Sequence, residues 1–141
     1  MNRLTAFLPC MVLAACATAS AQKTQSVTSG SQVTLSPGAT VSVTGASLMV
    51  HFVSTTEDSR CPVDTACIWA GEVRVLLAIT DRGKASQSEV TEGGSVVASE
   101  YRVTLVRVEP LPTSTARTAP ADYRATLKID AIAGSGAQHQ L

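Results

Sequence analysis

Cys67-Ile68-Trp69-Ala70-Gly71-Glu72-Val73-Arg74-Val75-Leu76-Leu77-Ala78-Ile79-Thr80 alternates at a period of two. Cys67, Trp69, Gly71, Val73, Val75, Leu77 and Ile79 fall on one face; Ile68, Ala70, Glu72, Arg74, Leu76, Ala78 and Thr80 fall on the other. Side chains of an extended chain point alternately to opposite sides, so one apolar and one mixed face predict a half-buried strand. At ~3.3 Å per residue this strand outruns the usual ~17–20 Å, and a bend or bulge is expected near Gly71. Trp69, the only Trp in the chain, shares the face of Cys67 and is expected in the core beside it. A Trp on a binding surface is the competing reading.

Immediately upstream runs Glu57-Asp58-Ser59-Arg60-Cys61-Pro62-Val63-Asp64-Thr65-Ala66. Cys61 and Cys67 are spaced for a disulfide that closes a tight loop. Pro62 fixes φ, and Asp64-Thr65 favour a turn by bonding side chain to backbone. For a loop of about seven residues the chain-entropy relation gives about 2.4 kcal/mol of stabilisation. A metal site is the alternative, but structural zinc takes four ligands at closer cysteine spacing, and the chain supplies no second pair. Asp58 is expected to pair with Arg60 or another arginine. The acids Glu57, Asp58 and Asp64 do not have the spacing of a calcium loop. Asp58, Arg60, Asp64 and Trp69 together make a candidate binding loop.

The block Asp58-Ser59-Arg60-Cys61-Pro62, followed by Cys67, Trp69 and Ala70-Gly71, resembles one found in small exported bacterial proteins and lipoproteins of unknown function. The resemblance covers about a third of the chain, from about Val43 to Ile79. It implies a secretion or lipoprotein signal followed by an all-β domain, and it brings no activity with it.

The start of the chain agrees with export. Met1-Asn2-Arg3 is basic, and Leu4 to Ala15 is an apolar run too short to span a bilayer as a helix, as in a signal peptide. Leu13-Ala14-Ala15-Cys16 matches a lipobox, which would make Cys16 the acylated N-terminus. Ala19-Ser20-Ala21 before Gln22 fits ordinary cleavage instead. Both routes remove Cys10 and leave Cys61 and Cys67 in an oxidising compartment. The expected division is a signal at 1–15 (to 21 under ordinary cleavage), a tether at 16–30, a β domain at 31–133 and a frayed tail at 134–141. Ala17, directly after Cys16, is not acidic, and by analogy with bacterial lipoproteins this implies the outer membrane, facing the periplasm; a soluble periplasmic or secreted form follows from the alternative cleavage.

Further strand signals surround the central stretch. Val33 and Leu35 alternate with polar neighbours, as do Val41 and Val43, with Ser36-Pro37-Gly38 as a turn between them. Leu48 to Val53 is apolar on both faces except at His51 and reads as a central strand. Asp81-Arg82-Gly83-Lys84 is a hairpin turn leading into a weaker strand at 85–91, then a short patch at 95–98. The apolar phase slips from Val103 and Leu105 to Val106 and Val108, as a β-bulge produces. Prolines 110, 112 and 120 bracket a Thr/Ser-rich loop. In the last segment Tyr123, Ala125, Leu127, Ile129 and Ala131 alternate with Arg124, Thr126, Lys128 and Asp130. With no helical periodicity after the signal, seven or eight short strands predict an antiparallel β-sandwich or barrel with one disulfide-closed loop.

The chemistry is sparse. His51 is the only histidine of the expected domain and lies mid-strand, away from any candidate nucleophile. Met49 and His51 share a face, but two soft ligands without a third make a poor copper site. No phosphate loop or dinucleotide motif is present, and no cofactor or metal is expected. Eleven basic residues less Arg3 leave 10, against 11 acidic, for a net charge of −1 after signal removal; with few aromatics, this argues against nucleic acid. The expectation is a non-enzymatic envelope domain that binds a protein or small ligand or plays a structural part, touching a membrane only through its lipid. The alternative is a periplasmic hydrolase inhibitor presenting the Cys61–Cys67 loop.

Overall fold

The Val73–Ile79 alternation is a strand, and its inward face is the centre of the core. In the computed structural model, which describes residues 23–133, Val73, Val75, Leu77 and Ile79 are all buried. Among these residues nine strands form: β1 (Thr24–Val27), β2 (Gln32–Leu35), β3 (Thr40–Val43), β4 (Leu48–Asp58), β5 (Val73–Asp81), β6 (Lys84–Thr91), β7 (Ser95–Ala98), β8 (Tyr101–Glu109) and β9 (Arg124–Ala131). They make two sheets, ordered β1-β3-β4-β5-β6 and β2-β9-β8-β7. The fold is an open sandwich, not a closed barrel, because β1 and β6 on one sheet and β2 and β7 on the other remain edges.

One layer of side chains fills the space between the sheets. Val41, Val50, Phe52, Val75 and Leu77 come from the first sheet; Leu35, Val103, Leu105, Leu127 and Ile129 come from the second. Burying each of the larger ones removes apolar surface from water and contributes about 1.5–3 kcal/mol. β4 is the central strand expected from Leu48–Val53, although Met49 faces out and is 46% exposed. The 81–84 turn and the weak strand after it appear as the β5–β6 hairpin, in register from Arg74↔Thr91 to Asp81↔Lys84.

The phase slip in β8 is a bulge between Leu105 and Arg107, opposite β9. It turns Val108 into the core and leaves Val106 on the surface. Only half of the expected shift is therefore inward. Ala125, Leu127 and Ile129 face in, whereas Tyr123 precedes β9 half-buried and Ala131 is exposed.

Three expectations need correction. The strand count is nine, and β1 pairs parallel with β3. The parallel pair arises because the chain crosses from β1 to the other sheet for β2 and then returns. The stretch assigned to a tether contributes β1 from Thr24 onward. Residues 1–22 and 134–141, with the expected signal, Cys10, Cys16 and His139, lie outside the described residues.

The third correction concerns Cys67–Thr80. The strand starts at Val73, and Cys67 to Gly71 is an exposed loop. Gly71 adopts φ +66°, a left-handed conformation that takes it out of the ladder. A Cβ at this position would overlap the carbonyl oxygen of Ser59. The disulfide brings the Cα atoms of Cys61 and Cys67 to 5.9 Å, which forces the chain to double back. Beyond this end, where β8 stops at Glu109 and β9 starts at Arg124, no facing strand remains to bury the alternate residues.

Candidate functional site

The β4–β5 connection extends the sandwich at one end. Ser59 N–H donates to Glu72 O at 2.8 Å, and Cys61 N–H donates to Ala70 O at 2.9 Å, so two more rungs continue the hairpin beyond the sheet. The Ser59 hydroxyl bridges the same rung, accepting from Glu72 N–H and donating to Glu72 O at 3.1 Å. The Cys61–Cys67 disulfide then closes the apex.

A second loop, 110–119 between β8 and β9, braces this apex. Val63 N–H donates to Pro112 O at 3.0 Å. Asp64 accepts from the backbone N–H of Ser114 at 2.8 Å and from its hydroxyl at 2.7 Å. These bonds hold the Asp64 carboxyl below the usual carboxylate range, the Ser114 hydroxyl contributing most. Asp64 therefore ties two loops together, whereas its expected role was local turn formation.

Beneath the apex lies a polar clamp. The Arg60 guanidinium forks onto Asp58, with Nε to Oδ1 at 2.8 Å and NH2 to Oδ2 at 2.7 Å; both side chains are only 10% exposed. Its remaining N–H groups donate to Val108 O at 2.7 Å and Pro110 O at 3.0 Å. Arg60 thus joins the end of β4 to the end of β8. The Tyr123 hydroxyl donates to Asp58 Oδ2 at 3.1 Å. Glu92 accepts from Val108 N–H at 2.7 Å and stands 3.8 Å from Arg60. Burial alone would raise the Asp58 pKa, but the Arg60 hydrogen bonds and charge, helped by Tyr123, hold it below the ordinary value. The bonds to Asp58 push Arg60 up. Burial, and then the Asp58 charge, push the Tyr123 phenol up.

This saturation decides what the clamp can do. Each Asp58 oxygen already accepts two hydrogen bonds, Oδ1 from the backbone and Nε of Arg60 and Oδ2 from NH2 and Tyr123. Neither oxygen is left to take a proton from a substrate, and the Arg60 fork faces inward. The group is a brace that holds two loops in one geometry. A shallow groove of about 330 Å³ runs beside it, walled by Asp58, Arg60, Tyr123 and the Thr113–Thr118 segment.

What the brace holds out is apolar. Ile68 is 93% exposed, Trp69 83%, Val63 63% and Leu111 55%. The expectation that Trp69 packs in the core is therefore overturned: of the four candidate loop residues, Asp58 and Arg60 are the clamp, Asp64 is the tie, and Trp69 is the exposed tip. The pairing of Asp58 with Arg60 is as expected. Glu92, Ser114 and Tyr123 were not expected, and no local pattern marks them: Ser114 lies 50 positions from Asp64, and Tyr123 lies 65 from Asp58.

The other chemical candidates lie elsewhere. His51 is half-buried on the outer face of the first sheet, where Nδ1 shares a 3.0 Å hydrogen bond with Thr40. Met49 stands on the same outer face, two pairs along the β3–β4 ladder. Among the described residues no three His, Cys, Asp or Glu side chains cluster to hold a metal. No protein-family model, curated protein or solved structure matches this chain.

Proposed function

We propose that this chain is a non-enzymatic binding domain of the bacterial cell envelope, carried as a lipoprotein on Cys16, and that the braced tip is its contact surface. The observation that carries the reading is Trp69, 83% exposed on a loop fixed by a disulfide, by the Asp64–Ser114 tie and by the Arg60 clamp. An exposed Trp on a disordered loop would lose its freedom on binding; here the fold has already ordered the loop, and the contact avoids that entropy cost. Trp is also among the residues that most often dominate binding energy.

The test is accessibility of Trp69 in two settings. In purified protein iodide quenches its emission strongly; in isolated envelopes the indole is protected, and Cys16→Ser moves the protein to the soluble fraction. Equal quenching in both settings would rule the tip out as a contact surface. A second reading, inhibition of an envelope hydrolase, is favoured by the protrusion of the Val63–Ala66 apex, every residue of which is exposed. It requires the purified protein to slow such an enzyme at stoichiometric concentrations.

A further inference from the structure

We infer that the tip seats on the surface of the same bilayer that holds the Cys16 anchor, with Trp69, Ile68, Val63 and Leu111 at the boundary between headgroups and acyl chains. The inference rests on the lipoprotein reading above and names the occupant of the tip.

Strand direction supplies the first argument. β4 runs toward the tip, β3 runs antiparallel to it, and β1 runs parallel to β3. β1 therefore leads away from the tip, and Thr24, its first residue, is its end nearer the tip. Thr24 pairs with Thr40, and Thr40 pairs with His51 opposite Ala78. From Ala78 to Val73 is 78 − 73 = 5 residues, about 17 Å along β5, and Trp69 lies at most about 13 Å beyond. Cys16 precedes Lys23 by 23 − 16 = 7 residues, a reach of at most about 25 Å. An acylated Cys16 can therefore come to within a residue or two of the level of the tip.

The tether could also fold back to the opposite end, and the chemistry of the two ends decides between them. At the far end stand Asp81, Arg82 and Glu100, with Arg82 and Glu100 paired 3.1 Å apart and each more than 60% exposed. Those charges belong in water. At the tip, Asp64 is the only charged residue from Cys61 to Gly71, and it is turned onto Ser114; Pro110 to Ala116 carries no charge. Indole rings favour the membrane–water interface, where an apolar body meets a polar rim. Four apolar side chains would hold a free domain only weakly, but the anchor makes the contact intramolecular and raises its effective concentration.

Trp69 is the only Trp and so reports on the tip directly. The lipidated full mature chain is reconstituted into phosphatidylethanolamine/phosphatidylglycerol vesicles with and without lipids brominated at shallow acyl positions. Expected are a blue shift and about a twofold loss of emission with brominated lipid, both abolished by Ile68→Asp/Leu111→Asp, which alters exposed side chains only. An acylated protein whose Trp69 is unshifted and unquenched overturns the proposal alone, as does quenching that persists in the double variant. An unmodified N-terminus at Gln22, read by mass spectrometry, overturns the anchored reading and this proposal with it. If Trp69 is protected in native envelopes but untouched by pure lipid vesicles, a protein occupies the tip instead.

Discussion

Arg60 shows how much one side chain can hold. Its donors satisfy Asp58, the Val108 carbonyl and the Pro110 carbonyl together, so Arg60→Met would leave a buried carboxylate without its counter-charge, held only by Tyr123 and one backbone N–H, and would take this donor from two carbonyls. Breaking one side of a buried pair costs about 3–5 kcal/mol, and a urea titration of the variant should show a loss of that order. The pair also links stability to pH. Asp58 titrates below its ordinary value in the fold, so its contribution is fully present above the unfolded value of about 4 and is lost as pH falls through the lower folded value. The urea midpoint of the wild type should therefore hold steady above about pH 5 and drop as the pH is lowered further, and Asp58→Asn should show a shallower drop from a lower start. A variant slope equal to that of the wild type would assign the acid sensitivity elsewhere. Trp69 behaves oppositely. Because it is exposed, Trp69→Ala should change stability by no more than about 0.5 kcal/mol, where a core Trp would cost about 3–5 kcal/mol. Calorimetric melting of the two proteins separates these values.

At the scale of the element, the β4–β5 hairpin is kept in shape by a glycine and a disulfide. Gly71 takes a left-handed φ against the Ser59 carbonyl. Gly71→Ala adds both backbone strain and a steric overlap, and should cost about 2 kcal/mol or more. Equilibrium denaturation would show it, and a cost below half that value would mean that the Ser59–Glu72 rung yields easily. Cys67→Ser removes a cross-link worth about 2.4 kcal/mol in the chain-entropy relation. The Asp64–Ser114 tie and the Val63–Pro112 bond remain, so the sandwich should persist in this variant. Hydrogen exchange should quicken at Cys61 while the Val63 and β5 amides stay protected. Loss of protection throughout would show that the loop is needed for the whole fold.

For the whole molecule, the two ends of the sandwich differ in kind. One end is an ion-paired turn region around Arg82 and Glu100; the other is a braced apolar tip. The core between them is indifferent to this polarity, because its residues come from strand interiors in both sheets. Substitutions of the exposed apolar side chains at the tip, Ile68, Trp69 and Leu111, should therefore alter binding without altering the melting temperature. A buried change such as Leu77→Ala should cost about 2–5 kcal/mol and leave the tip chemistry as it was.

The sequence by itself determined the sheet-forming segments other than β1, and the cross-link. Alternation at Val33–Leu35, Val41–Val43, Val73–Ile79 and Ala125–Ile129 is read directly, because a strand with one buried face must place an apolar side chain at every second position. The spacing of Cys61 and Cys67 likewise limits them to a small closed loop. Cys67, Trp69 and Gly71 continue the same alternation and yet lie outside the sheet. Whether a period-two pattern is buried depends on a facing strand, and β8 and β9 end before reaching this level. Only the tertiary structure decided that, and with it the exposure of Trp69. The clamp was half legible: Asp58 and Arg60 are two residues apart and can find each other locally, whereas Glu92 and Tyr123 reach them, and Ser114 reaches Asp64, only when the two sheets pack and their loops meet at one end.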